Sequence, residues 1–125
     1  LGIVSMAERS EIDHVLNLAG IREQFSIVVS AAIDLNHKPA PDCYERALSL
    51  LNSRRRADRK LPVLASECVV IEDAPPGIEA GRGAGMRTIG VTTTVAEKAL
   101  REAGADVVTS NLSDWNADAV HHLFG

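Results

Sequence analysis

The sequence has few aromatic residues, few cysteines and no long apolar run. Aromatic residues make up 3% of the 125 positions, so the 46% of apolar residues are mostly Val, Ile, Leu and Ala. The two cysteines, Cys43 and Cys68, fit no metal-binding spacing, and we interpret them as core thiols in a reducing, cytoplasmic environment. No apolar run approaches the roughly 18 residues of a membrane span, and no signal-peptide pattern opens the chain. We therefore expect neither a disulfide framework nor a membrane partner.

An excess of positive charge is also missing. The formal charge of −4 argues against a nucleic-acid partner, because non-specific binding to nucleic acid needs a basic surface. The one dense charge run, RRRADRK at residues 54–60, contains no interleaved aromatic residue. We predict that this run is a solvated loop between a helix and a strand, and a phosphate- or nucleic-acid-binding patch is the alternative.

Apolar runs and helical periodicities alternate along the chain. Helical spacing of apolar residues predicts helices at 8–19, 42–51, 75–85, 94–103 and 114–124. Short Val- and Ile-rich runs predict strands at 1–4, 27–29, 69–71, 88–91 and 107–108. Alternation of this kind predicts an α/β fold, a doubly wound parallel sheet with helices on both faces. The length suits a single domain over residues 1–125, and the start at Leu1 rather than Met suggests processing or a longer protein.

The stretch CVVIEDAPPGI at residues 68–78 carries the strongest functional signal. A short apolar run typical of a strand buried on both faces leads into Glu72 and Asp73, and Pro75 suits the first turn of a following helix. Open α/β sheets bind ligands at the carboxyl ends of their strands. Two adjacent carboxylates repel unless they share a cation or a proton, and Mg²⁺ suits one or two carboxylates. The alternative is a solvated acidic turn after a strand.

Polar residues also follow the first two predicted strands. Ser5 ends the first strand, and Lys38 lies in the loop after the second. In a parallel sheet these positions share one edge with Glu72 and Asp73. There Ser5 and the N–H of Met6 can hold phosphate oxygens, Lys38 can neutralise phosphate charge, and Asp73 with Glu72 can hold the metal.

Three segments resemble a known family. LGIVS at 1–5, HKPAPD at 37–42 and VVIEDAPPGIEAG at 69–81 look like the second, third and fourth motifs of the haloacid dehalogenase-like hydrolases. The resemblance is to the β-phosphoglucomutase and phosphatase-like branch, and GMRTIGV at 85–91 continues it. It implies that Ser5 binds phosphate, that Lys38 is a catalytic residue stabilising nucleophile and phosphoryl charge, and that Asp73 and Glu72 hold Mg²⁺.

The first motif of that family, Asp-x-Asp-x-Thr or Val after an apolar strand, is absent from these residues. Its first Asp is the family's nucleophile, and the chain contains no Asp-x-Asp. The resemblance implies that this strand lies between those ending at Ser5 and Glu72, and that a cap domain separates the first two motifs. We therefore expect a partial core domain, lacking the first-motif strand and the cap, in which two central strands keep unpaired edges.

Two hypotheses of function follow. The first is the C-terminal part of a Mg²⁺-dependent phosphatase or phosphomutase, acting on a small phosphorylated metabolite such as a sugar phosphate and inactive without the nucleophile. The second is a non-catalytic phosphate-, metal- or partner-binding remnant of the same fold. Expected partners are the metabolite, the missing N-terminal part, or a second copy at the open sheet centre. A phosphoacceptor receiver domain is a third idea, but its acidic pair follows the first strand and its Lys comes late.

Overall fold

The computed structural model describes residues 1–5, 7–30, 35–113 and 115–124. The five strands of these ranges are β1 (Gly2–Val4), β2 (Ile27–Val29), β3 (Val69–Glu72), β4 (Arg87–Val91) and β5 (Val107–Thr109). The five α-helices are α1 (Arg9–Ala19), α2 (Asp42–Ala57), α3 (Pro75–Gly83), α4 (Glu97–Glu102) and α5 (Ala117–Phe124). Short 3₁₀ helices lie at Arg22–Gln24 and Ala65–Glu67. The predicted alternation of strands and helices is confirmed.

The strands form two parallel sheets. β1 pairs with β2, and β3, β4 and β5 form a second sheet in that order. All three strand pairings are parallel. Within the described ranges, β1 and β3 each have a single strand partner, as expected for a sheet without its first-motif strand. A groove of about 880 Å³ is lined by both of these strands and by α2.

The apolar core lies in two clusters. The larger joins β2, β3 and α2 through Val29, Val70 and Cys43, and Cys43 is fully buried. The smaller joins α3 to α4 through Ile78 and Leu100. α2 contacts both strands of the first sheet and also α3, which packs against β3 and β4 of the second sheet, so α2 links the two sheets.

Helix ends follow local sequence. α1 ends where Gly20 adopts a left-handed conformation with φ of 71°, which glycine reaches at little steric cost. α3 begins with Pro75 and Pro76, as the sequence predicted, and proline fits the first turn because no helical N–H is lost there. Among the described residues, none of the helices combines the length and apolar character needed to cross a bilayer.

The basic run is not the loop that the sequence predicted. α2 continues to Ala57, so Arg54, Arg55 and Arg56 form its last turn. Arginine is a good helix former, and positive charge at the C-terminal end interacts favourably with the helix dipole. Only the remainder of the run, from Asp58 to Lys60, lies outside the helix.

Two other details differ from the prediction. β3 is not buried on both faces, since Ile71 is 49% exposed beside the groove that separates the sheets. α5 begins at Ala117, later than predicted, and the predicted start Asp114 lies outside the described residues. Trp115, just before α5, donates from Nε1 to Thr109 Oγ1 at 3.3 Å, which ties this segment to the end of β5.

Candidate functional site

An ion pair joins the two sheets at the carboxyl end of the groove. Lys38 Nζ lies 2.5 Å from Glu72 Oε1, with the side chains 15% and 11% exposed. The same ammonium lies 3.5 Å from the carbonyl oxygen of Val4, the last residue of β1. Lys38 therefore contacts the ends of both β1 and β3, the two strands predicted to meet at one edge.

Tyr44 lies in the helix predicted at 42–51 and is not among the predicted site residues. Its hydroxyl donates to Glu72 Oε1, the oxygen that Lys38 also contacts. The Lys38 ammonium lies 5.2 Å from the centroid of the Tyr44 ring, within the range of a cation–π interaction. Burial raises the pKa of the Tyr44 hydroxyl, and the hydrogen bond to Glu72 raises it further. The available signal was a tyrosine, with its polar tip, on the buried side of the helix that follows Lys38.

Gly77 closes the other side of the Glu72 carboxylate. A Cβ atom built on Gly77 would overlap that carboxylate, with Oε1 only 2.6 Å away. Gly77 lies in the first turn of α3, and the two prolines before it carry no N–H. The start of α3 therefore offers few free amide donors for an anion, and Glu72 takes its donors from Lys38 and Tyr44 instead.

Asp73 lies at the exposed rim of the groove. Thr94 Oγ1 donates to Asp73 Oδ2 at 2.7 Å. Thr94 and Glu97 have the sequence spacing of a capping box, which predicts a helix that starts at Thr94. This prediction is wrong, because the N-cap residue of α4 is Ala96 and the Thr94 hydroxyl bonds to Asp73 instead. A threonine just before a helix can bond to a helix amide or to a neighbouring loop. The sequence pattern is the same in both cases, so it could not distinguish between them.

Ser5 is held at the end of β1. Its N–H donates to the carbonyl of Val29 at 3.0 Å, and its Oγ accepts from the N–H of Ala7 at 3.1 Å. Because the oxygen acts as the acceptor in this bond, the hydroxyl can still donate its proton to a ligand oxygen. The predicted phosphate contact of Met6 lies outside the described residues.

The predicted site residues of the described chain come together. Ser5, Lys38, Glu72 and Asp73 all line the groove between the sheets. Their proposed roles stay predictions, because the geometry fixes position and not chemistry. Arg9, near the Ser5 end of the groove, is a surface residue of α1 and pairs with Asp13 at 3.2 Å.

The carboxylates fit a magnesium ion that is completed by water and substrate. No group of three or more His, Cys, Asp or Glu side chains that could hold a metal occurs among the described residues. Mg²⁺ commonly takes only one or two carboxylates and keeps several waters, so a larger group is not required. Lys38 already neutralises Glu72, whereas Asp73 is exposed and bonded to a neutral hydroxyl. Asp73 is therefore the stronger candidate ligand of the two.

Parallel sheets with helices against them and polar residues at the carboxyl ends of the strands define the class of Rossmann-like α/β proteins. The family model of the haloacid dehalogenase-like hydrolases matches residues 1–91. The chain belongs to this family, as the motif resemblance predicted.

Named relatives extend the comparison. The chain is 36% identical over 115 residues to Protein SUPPRESSOR OF QUENCHING 1, chloroplastic, of Arabidopsis thaliana, which covers 91% of this chain and 10% of that protein. It is 33% identical over 114 residues to Validoxylamine A 7'-phosphate phosphatase of Streptomyces hygroscopicus subsp. limoneus, covering 91% of this chain and 48% of that one. Among solved structures, β-phosphoglucomutase from Clostridium difficile matches with a TM-score of 0.71 and 26% identity, over 89% of this chain and 43% of that one. The chain thus spans less than half the length of each of these three proteins.

Proposed function

We propose that this chain forms the phosphate- and Mg²⁺-binding part of a phosphatase or phosphomutase that acts on a small phosphorylated metabolite. The observation that carries the proposal is the Lys38–Glu72 ion pair, which joins the ends of β1 and β3 beside Ser5 and Asp73. The phosphatase and phosphomutase names among the matched proteins support the reaction class.

Each residue has a role that its contacts allow. The Ser5 hydroxyl would donate to a phosphate oxygen, since its Oγ is the acceptor in its bond with the N–H of Ala7. Lys38 would stabilise negative charge on the phosphoryl group and on the nucleophile, because Glu72 and the carbonyl of Val4 hold its ammonium at the wall of the groove and leave one N–H for a ligand. Asp73, with Glu72, would hold Mg²⁺, and the ion would supply further neutralisation of phosphate charge.

The nucleophile has to come from outside these 125 residues, because they contain no Asp-x-Asp. We propose that a strand carrying it enters the groove, pairs with β1 and β3, and places its carboxylate beside Lys38. The carboxyl ends of β1 and β3 both lie at Lys38, which contacts Val4 and Glu72, so a strand placed between them would end at this lysine. We also propose that the substrate is a sugar phosphate and that the protein acts in the cytoplasm. The names of the relatives support a phosphatase but specify neither of these two points for this chain.

The test compares Mg²⁺-dependent phosphate release from a sugar phosphate in a protein that also carries the coding segment upstream of Leu1. Asp73→Asn should lower the rate at least about a hundredfold, since a neutral amide holds a hard cation poorly. Asp58→Asn is the matched control, because Asp58 is an exposed acid at the end of α2, and its rate should be unchanged. Equal rates for Asp73→Asn and the parent protein would remove Asp73 from the metal site.

A second candidate function is a non-catalytic phosphate-, metal- or partner-binding module. Among the described residues, β1 and β3 each leave one edge without a strand partner beside the groove, and such edges are templates for another chain, which favours this function. Size-exclusion chromatography of the 125-residue chain discriminates between the two. A stable monomer that binds Mg²⁺ weakly supports a binding module, whereas obligate self-association supports a core that lacks its central strand.

A further inference from the structure

We propose that Tyr44 is a positioning residue of the candidate site, whose hydroxyl fixes the Glu72 carboxylate for Lys38 and for the metal. The inference that Tyr44 positions the metal ligand rests on the proposed function. The inference that Tyr44 positions the Lys38–Glu72 ion pair rests on the geometry alone. Neither the motif resemblance nor the predicted site included this residue.

Two donors converge on one oxygen of the carboxylate. The Tyr44 hydroxyl and the Lys38 ammonium both bond to Glu72 Oε1. Oε2 is bonded by neither of them and lies on the Gly77 side of the carboxylate, where a Gly77 Cβ would overlap it. A cation or water would contact this oxygen. A neutral donor suits this role, because it orients the carboxylate without adding a second positive charge that would repel Mg²⁺.

Tyr44 also restrains the lysine. The long stem of a lysine is flexible, so a single ion pair fixes the ammonium poorly. The ring of Tyr44 lies beneath that ammonium at 5.2 Å, while its hydroxyl holds the partner carboxylate. One side chain therefore contacts both members of the ion pair.

The Tyr44 side chain is itself held firmly enough to position its neighbours. It is 7% exposed and belongs to the larger core cluster with Cys43 and Val70. Its N–H donates to the carbonyl of Pro41 at 3.0 Å in the first turn of α2. Gly77 limits the carboxylate on the opposite side, so Glu72 is confined between a buried ring and a helix backbone. A side chain held this way can impose geometry on its partners.

The first experiment uses no metal. Urea unfolding of a double-mutant cycle gives the coupling free energy between Lys38→Met and Glu72→Gln, and the cycle is repeated in a chain that carries Tyr44→Phe. A positioning role predicts that at least half of the coupling is lost when the hydroxyl is removed. Thr88→Val is the matched control, because it removes another buried hydroxyl, bonded to Asp106, at the far end of β4. Coupling that is unchanged by Tyr44→Phe would overturn the proposal.

The second experiment titrates the 125-residue chain with Mg²⁺ and follows the amide of Asp73 by NMR. Tyr44→Phe should weaken Mg²⁺ binding about tenfold, as the loss of an outer-shell partner commonly does, and Thr88→Val should not change it. Tyr44 is the only tyrosine in the sequence, so biosynthetic 3-fluorotyrosine gives one ¹⁹F signal there without a mutation. Mg²⁺ should shift that signal, and Asp73→Asn should abolish the shift.

The outcomes separate this inference from the proposed function. Equal Mg²⁺ affinity for the parent chain and Tyr44→Phe, or a ¹⁹F signal that does not move on binding, overturns the positioning of the metal site. If the parent chain shows no Mg²⁺ binding at Asp73, the proposed metal function fails. The coupling measurement then decides whether Tyr44 positions the ion pair. Loss of coupling together with weaker Mg²⁺ binding supports both.

Discussion

Replacing Gly77 by alanine should destabilise the chain because the new methyl group would displace the side chain of Glu72. The three atoms nearest to a Cβ built on Gly77 all belong to the Glu72 carboxyl group. Because a real Cβ cannot approach that closely, the carboxylate has to move, and it then leaves Lys38 and Tyr44. The substitution therefore perturbs the candidate site without removing any of its functional groups.

The magnitude follows from the contacts that are lost. Each hydrogen bond to a charged group contributes about 1.5–3 kcal/mol, so two such bonds set an upper limit of about 3–6 kcal/mol. A displaced carboxylate regains water in the groove, which recovers part of this amount. Alanine also favours a helix over glycine by up to about 1 kcal/mol. We expect a net loss of about 2 kcal/mol in the free energy of unfolding.

Urea unfolding followed by circular dichroism measures this loss in the 125-residue chain. Gly83→Ala is the matched control, since it lies in the same helix and its Cβ would meet Pro41 Cβ at 3.3 Å, so we expect a change below about 1 kcal/mol. In a chain that also carries Glu72→Ala, the cost of Gly77→Ala should disappear. An equal cost with and without the Glu72 side chain would refute the reasoning, because the overlap would then lie elsewhere.

Two further predictions concern glycine and cysteine positions. Gly104→Ala should lower stability more than Gly85→Ala in thermal unfolding, because the φ of 98° at Gly104 lies further from the left-handed region that other residues can reach than the 79° at Gly85; equal losses would contradict this. Burial raises the pKa of the Cys43 and Cys68 thiols above the ordinary 9.0, so the native state keeps protons that the unfolded chain releases. The free energy of unfolding should therefore be undiminished below about pH 9 and fall as the pH rises through the raised values; a rise above pH 9 would contradict this. In the native chain at pH 8, a thiol reagent should modify Cys68 well before the fully buried Cys43.

Periodicity was sufficient for the fold because each strand and helix has its own short-range signal. The Val- and Ile-rich run before Glu72 and the helical spacing after Gly77 mark β3 and α3 independently of the rest of the chain. Parallel pairing follows from the alternation, so the common edge of Ser5, Lys38 and Glu72 could be predicted without coordinates. The extent of α2 could not, because a run of arginines is compatible with a loop and with a helix C-terminus.

The supporting residues of the site could not be found in the same way. Tyr44 and Thr94 have local patterns that a helix face and a helix cap explain equally well. Their actual partners, Glu72 and Asp73, are 28 and 21 positions away in sequence. Contacts at that separation depend on how α2 and the loop after β4 pack against β3, which no short-range signal encodes. Gly77 could be predicted in part. A glycine in the first turn of a helix indicates that another group approaches the backbone closely, but it does not identify that group as the Glu72 carboxylate.

The candidate site also lies where the two sheets are joined. Apart from the packing of α2, the described link at their carboxyl ends is Lys38, which contacts Val4 in one sheet and Glu72 in the other. A substitution that disturbs this ion pair should therefore change both the geometry of the site and the stability of the chain. Stability in turn can report on Lys38, Tyr44, Glu72 and Gly77 without any catalytic assay. This coupling is what allows the geometry of the site to be tested in a chain that does not contain the expected nucleophile.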